Sequence, residues 1–314
     1  MESLIKKADT LIEALPYIKE FSGKTIVIKY GGRAMVDPTL KEGFARDVVL
    51  MKFVGMHPIV VHGGGPQIDG MLKRVGLEPK FRHGIRVTDQ ATMDVVEMVL
   101  GGTINKEIAS LISRHGGQGV GLSGKDGNLI SARPLTKNEW VKRIGRGAGF
   151  FEGKEKEKQQ RSKTQISESE YGMVGDVDRV DVQVLSRLQE RESRSIPVIA
   201  PIASGIDGKV YNINADSVAG AIASALTAEK LLMLTDVQGI HGANGQRLAH
   251  LSRKDIGQLV KKDILKDGML PKVHACLAAL EGGVRKAHII DGRVSHALLL
   301  EIFTDEGIGT EIVA

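Results

Sequence analysis

Cysteine is almost absent from the chain: Cys276 stands alone among 314 residues. That excludes an internal disulfide framework and a cysteine-held zinc cluster, and makes a reducing cytoplasm the expected setting. Aromatic side chains are scarce too, at 4%. A nucleic-acid groove needs a dense basic stripe with aromatics beside it, and a net charge of +5 is too modest to supply one. No apolar run approaches the roughly 18 residues of a membrane span. Neither nucleic acid nor membrane is an expected partner. Residues 1–9 mix Glu2, Lys6, Lys7 and Asp9 with short apolar pairs, and read as neither a signal peptide nor an acid-poor transit sequence.

What remains is ordinary globular material, 42% hydrophobic and 26% charged, long enough for two lobes on a shared sheet or for two domains. Leu4, Ile5, Ala8, Leu11, Ile12, Leu15 and Ile18 recur at helical spacing, and Pro16 should kink that helix one turn back, near Ile12. The apolar stripe either packs on its own domain or docks on another subunit. Strand patterns follow at 25–30, 58–61, 196–200, 230–234 and 287–290, with helical patterns at 39–54, 216–226 and 273–280. Strands alternating with helices imply an α/β fold whose mostly parallel sheet is covered on both faces. Residues 145–170 break the rhythm: rich in Lys, Glu, Gln and Ser, they read as a solvated surface insertion in preference to a lid.

Two strands run into glycine turns, Lys29-Tyr30-Gly31-Gly32 and His62-Gly63-Gly64-Gly65-Pro66. Glycines at the carboxyl edge of parallel strands let backbone N–H groups approach an anion, and a following helix start adds its positive end. Plain connectors would look the same one at a time. The dinucleotide fingerprint is excluded, because Ile68 occupies its third glycine position. Residues 119–125 mimic a phosphate-binding Walker loop, but Asp126 stands where a magnesium-binding hydroxyl is required, so a tight turn around 123–127 is expected.

Several polar residues sit oddly for structure alone. Lys29 follows Ile26, Val27 and Ile28 in a strand, either snorkelling at its end or aimed at an anion. Asn214 and Asp216 open a helix, as caps or as site residues. Lys272 lies at a helix start, where a cation opposes the dipole. Arg86 has the fork that holds a carboxylate.

Together, KYGG from Lys29, HGGGPQ from His62, GIRVTD from Gly84, GLSGKDG from Gly121, YNINAD from Tyr211, LTDVQGI from Leu234 and DGMLPKV from Asp267 resemble the amino acid kinase family. Within it they resemble the branch that phosphorylates N-acetyl-L-glutamate. The resemblance spans nearly the whole chain in the family's order. It implies a three-layer αβα sandwich around a mainly parallel sheet, with an N-terminal helix at 1–22, an acyl-acceptor lobe at 23–205 and an ATP lobe at 206–314. By resemblance Lys29 and Lys272 neutralise the transferring phosphoryl group, and Asp216 holds both lysines. Gly31, Gly32 and Gly64 face phosphate. Gly64, Gly65, Arg86 and Asn212 bind the acceptor, and Thr235, Asp236, Gly239, Gly268 and Met269 line the nucleotide site.

The chemistry fits. A γ-carboxylate with a pKa of about 4.3 is already ionised at neutral pH, so no general base is needed. The reaction needs two anions brought together in line, which placed cations and N–H donors achieve. No carboxylate cluster suggests a metal cage, so Mg2+ is expected to travel with ATP. The C-terminal stretch from Glu281 and the segment ALPYIKEF from Ala14 resemble the family's arginine-sensitive, hexameric members. That resemblance implies an arginine site at Tyr17, Lys230, His288, Glu301 and Gly307. Two alternatives stay open: a related kinase acting on an aminoadipate-type acceptor, and an arginine-sensing protein without catalysis.

Overall fold

The computed structural model describes residues 1–143, 169–190, 193–266 and 268–314. The charged insertion therefore lies, but for Ser169 and Glu170, outside the described residues. In chain order the elements are α1 (Glu2–Glu13), α2 (Leu15–Phe21), β1 (Thr25–Tyr30), α3 (Pro38–Phe53), β2 (His57–His62) and α4 (Gly65–Arg74). The hairpin β3 (Phe81–Arg82) and β4 (Ile85–Arg86) leads to α5 (Gln90–Glu97), a π-helical stretch (Met98–Ile104), α6 (Asn105–Arg114), β5 (Gln118–Ser123), β6 (Ile130–Pro134) and α7 (Lys137–Arg143). Then come β7 (Val174–Val180), α8 (Gln183–Leu188), β8 (Ser195–Ala200), β9 (Ile202–Gly205), β10 (Val210–Ile213), α9 (Ala215–Ala225) and β11 (Lys230–Thr235). The chain closes with β12 (His250–Ser252), α10 (Arg253–Lys261), α11 (Met269–Glu281), β13 (Lys286–Asp291), α12 (Ala297–Ile302) and β14 (Thr310–Val313).

Among the described residues one eight-stranded sheet runs in the order β12-β14-β13-β11-β1-β2-β8-β5. Every pairing in it is parallel except β13 with β14. β1 is central, with Lys29 level with Val61 of β2 and Met233 of β11. Alternation along β1 divides the core. Ile26, Ile28 and Tyr30 pack with α3, α5 and α6, whereas Val27 points to the face covered by α9 and α11. Tyr30 stacks on Phe44 at 3.7 Å and donates its hydroxyl to the Ala34 carbonyl at 2.5 Å. A smaller closed unit of β6, β7, β9 and β10 stands beside the main sheet.

The sequence patterns landed within a few residues of these bounds. The helix expected from 273 begins earlier, at Met269, because Pro271 is tolerated inside a helix's first turn. The leading helix breaks at Ala14 rather than near Ile12, and Pro16 becomes part of the first turn of α2. α2 buries Phe21 and lays Tyr17 against the core. α1 instead leaves Leu4, Ile5, Leu11 and Ile12 exposed. The Walker-like stretch is the turn its Asp126 suggested: that carboxylate accepts from the Ser123 N–H at 2.6 Å and hydroxyl at 2.8 Å.

Candidate active site

The site grows from β1. Lys29, like Val27, points to the face covered by α9, which its own N-cap holds in place. Asn214 Oδ1 accepts from the N–H groups of Asp216 at 2.8 Å and Ser217 at 3.3 Å. With Asn214 serving as cap, the Asp216 side chain is free for other work. Its Oδ2 accepts from Lys272 Nζ at 2.8 Å, and its Oδ1 lies 3.1 Å from Lys29 Nζ. The second contact is a buried ion pair. Lys272 reaches across from the first turn of α11, where the helix dipole disfavours a cation and Asp216 offsets that cost.

Lys29 and Asp216 are 8% and 5% exposed, so solvent screens this triad weakly. Burial alone would push Asp216 upward, but the two ammonium groups outweigh it and hold the carboxyl well below the usual range. Burial lowers Lys29 from the ordinary lysine value, with Asp216 opposing and Lys272 adding to the shift. Lys272 is raised, its burial outweighed by Asp216. Two ammonium groups share one carboxylate, which leaves a surplus positive charge to meet an anion.

The glycine turns close around this charge. A side chain at Gly31 would place its Cβ 2.5 Å from Lys29 Nζ, so the ammonium lies against bare backbone. Gly32 has φ +73°, and the loop it opens is fastened by the Arg33 N–H donating to Asp236 Oδ1 at 2.7 Å. The second turn is tied to the first by the Gly63 N–H on the Tyr30 carbonyl at 2.9 Å. Gly64 precedes α4, whose start carries no side-chain cap, and a Cβ on Gly64 would run into Leu100 and Ile104 of the π-helical stretch.

Arg86 is buried and pairs with the Asp69 carboxylate, donates to the Gly65 carbonyl at 3.3 Å, and lies over the Phe81 ring at 4.8 Å. It thus reaches the second glycine turn. Asn212 sits on β10, its N–H bonded to Met173 at 3.0 Å, two residues before the Asn214 cap. Thr235 ends β11 beside the first turn, with Asp236 fastened to it. Gly268 and Met269 open the helix that carries Lys272. Gly239, at φ +111°, lies against Thr310 of β14 instead, 2.6 Å from where a Cβ would sit to Oγ1.

Of the five residues assigned to an effector, Lys230, His288, Glu301 and Gly307 converge, and Tyr17 meets the segment between Glu301 and Gly307. Glu301 Oε1 meets His288 Nδ1 at 2.6 Å, and its Oε2 accepts from the N–H groups of Ile308 at 2.6 Å and Gly309 at 3.0 Å. Lys230 Nζ lies 3.4 Å from His288 Nε2 and 4.9 Å from the Phe21 ring centre. Gly307, at φ +58°, passes so close that a Cβ there would stand 2.9 Å from Glu301 Oε2. Tyr17 hydrogen-bonds Asp305 at 2.7 Å and packs edge-on against Phe303.

Several members went unread in the sequence. Asp69, Glu311 beside His288, and Asp176, which binds Arg133 and Arg143, carry no local pattern that marks them. Arg143 also donates to Ser217 at 3.4 Å, one residue from Asp216. His62 and Asn105 form a buried pair that only tertiary structure reveals.

Residues 24–291 match the model of the amino acid kinase family. The chain is 54% identical over 310 residues to a protein named acetylglutamate kinase from Syntrophobacter fumaroxidans, covering 99% of this chain and 97% of that one. It is 49% identical over 317 residues to one of the same name from Persephonella marina, covering both in full. Among solved structures, N-acetylglutamate synthase from Neisseria gonorrhoeae, complexed with coenzyme A and N-acetyl-glutamate, superposes with a TM-score of 0.78 at 25% identity. That match takes in 98% of this chain but only 63% of the synthase. Carbamate kinase from Giardia lamblia bound to AMP-PNP shares the fold at a TM-score of 0.56 and 15% identity, over 93% and 98% of the two chains.

Proposed function

The chain belongs to the amino acid kinase family, and from that premise we propose that it transfers the γ-phosphate of ATP to the side-chain carboxylate of N-acetyl-L-glutamate, yielding an acyl phosphate. The observation that carries this reading is the surplus positive charge of Lys29 and Lys272 on Asp216, set against two glycine turns. Full-length relatives at about half identity bear the corresponding name.

The acceptor oxygen attacks the γ-phosphorus, the bond to the β–γ bridging oxygen breaks, and ADP leaves with that electron pair. Lys29 and Lys272 would offset the charge that gathers on the phosphoryl oxygens, with Asp216 drawing the two ammonium groups together. The N–H groups of Gly32 and Gly64 would add donors from above, with Gly31 leaving room for the lysine. Arg86 would receive the acceptor's α-carboxylate, exchanging part of its hold on Asp69, with Asn212 beside it; Gly65 is joined to Arg86 already. Thr235, Asp236, Gly239, Gly268 and Met269 would line the nucleotide, and Mg2+ would enter as part of the ATP substrate. Residues 23–205 would form the acceptor lobe and 206–314 the nucleotide lobe. The activity is tested by ATP-dependent hydroxamate formation with N-acetyl-L-glutamate; none above background would sink it. Preference for an aminoadipate-type acceptor in competition would favour that relative's chemistry instead.

A second reading concerns control. The cluster of Lys230, His288, Glu301 and Gly307, with Tyr17 of α2 bonded to Asp305 beside it, holds a buried carboxylate, which suits a guanidinium and supports feedback by arginine. The exposed apolar stripe of α1 supports docking onto another copy in a ring of dimers.

A further inference from the structure

His62 is fully buried at the end of β2, yet nothing in the phosphoryl-transfer scheme uses its ring. Its Nδ1 lies 2.9 Å from the carbonyl oxygen of Gly63, and its Nε2 lies 3.2 Å from Nδ2 of Asn105. The Asn105 amide cannot be turned round. Its Nδ2 also meets the carbonyls of Leu122 at 3.1 Å and Val198 at 2.8 Å, while Oδ1 accepts from Lys106 at 3.1 Å. Only an NH2 group satisfies two carbonyls. Those carbonyls take both amide hydrogens, so the tautomer is set at the other nitrogen: the Gly63 carbonyl can only accept, and in a neutral ring that leaves Nε2, beside Asn105, unprotonated. The proton is on Nδ1, and Nδ1 donates to the Gly63 carbonyl. Burial holds the ring neutral, its pKa down to about 4.

We propose that His62 is a positioning residue for phosphoryl transfer: by holding the Gly63 carbonyl inward, it aims the N–H of Gly64 outward at the anion. The link is the planar trans peptide, in which the Gly63 C=O and the Gly64 N–H point in opposite directions. With the carbonyl drawn toward a buried imidazole, the N–H is turned away from the core. Among the described residues no acceptor takes it. Glycine needs this restraint more than any other residue, since nothing in its side chain resists a peptide flip. The π-helical stretch presses on the same point, through Leu100 and Ile104 against Gly64, and delivers Asn105 as the next residue of the chain. The Asn105 contacts to β5 and β8 tie that orientation to the sheet.

The inference rests on the proposed activity for the identity of the anion, but not for the peptide's orientation. His62→Asn keeps a donor near the Nδ1 position, His62→Gln moves it towards Nε2, and His62→Phe removes it. Turnover is expected to fall about 30-fold in His62→Phe and His62→Gln, less than the full loss of such a donor, and to stay within about threefold in His62→Asn. KM for MgATP and for acceptor should change little in all three. Crystal structures of His62→Phe and His62→Asn should show the Gly63–Gly64 peptide rotated in the first and unrotated in the second. Normal turnover in His62→Phe, equal loss in His62→Asn, or an unrotated peptide in His62→Phe overturns the proposal. The crystallographic arm decides it even if the parent protein phosphorylates a different acceptor.

Discussion

Lys272 Nζ and Asp216 Oδ2 meet at 2.8 Å across the gap between α11 and α9, and the contact binds two helices that both begin at the carboxyl edge of the sheet. The same carboxylate faces Lys29 at 3.1 Å from β1. A single aspartate thus fixes the separation of two cations that would otherwise repel each other. Losing either lysine should leave the fold standing and the chemistry poor. Lys29→Ala and Lys272→Ala are each expected to reduce turnover a few hundredfold, about 3–4 kcal/mol. Steady-state kinetics with intact circular dichroism checks this; near-parental turnover in both removes their role.

The lowered pKa of Lys29 sets an alkaline limit. The reaction needs the ammonium form, and burial brings its loss to a pH below the ordinary lysine value of 10.5. A profile of turnover against pH should bend downward on the alkaline side earlier than free lysine would allow. Lys29→Arg, charged throughout, should move that bend upward even though its activity is lower.

Acid should act through His62. Its folded pKa of about 4 lies beneath the unfolded value of about 6.5, so the unfolded chain takes up a proton first as pH falls. Stability from this group is whole above about pH 6.5 and is lost on the way down to about 4, with a slope near 1.4 kcal/mol per pH unit. Denaturant melts of the parent and of His62→Asn across that window should diverge by that slope. Parallel curves would refute it.

Lys125 offers a control. It looks like a phosphate-loop lysine, yet it forms an exposed ion pair with Glu97 beside a turn closed by Asp126. Lys125→Ala should leave turnover and the KM for ATP within twofold, and cost under about 1 kcal/mol of stability.

Arginine control has a direct assay. Turnover is expected to fall in millimolar arginine, Glu301→Gln should blunt the effect while sparing basal activity, and deletion of residues 1–21 should reduce the particle size by light scattering. An enzyme indifferent to arginine rejects this reading.

The parallel sheet and both glycine turns were legible because strand residues and glycines carry their own local signals; β1 from Thr25 and β11 from Lys230 emerge as the apolar runs suggested. Lys29 stood out as a charge inside a strand. Local pattern alone could not tell Asn214 from Asp216, since either can cap a helix; the motif resemblance singled out Asp216, and the structure gives the cap to Asn214. Asp69 and Asn105 were invisible for another reason. Their partners Arg86 and His62 lie 17 and 43 residues away, and no periodicity encodes such a meeting.

Neighbouring residues on β1 divide two incompatible worlds: Lys29 enters an ionic cluster, and Tyr30 stacks on Phe44 behind the sheet. Shifting that strand by a single residue would thrust an ammonium into grease and a phenol among the lysines. The reactive group is accordingly its own proofreader of strand alignment, and a misthreaded chain would forfeit its stability together with its charge cluster.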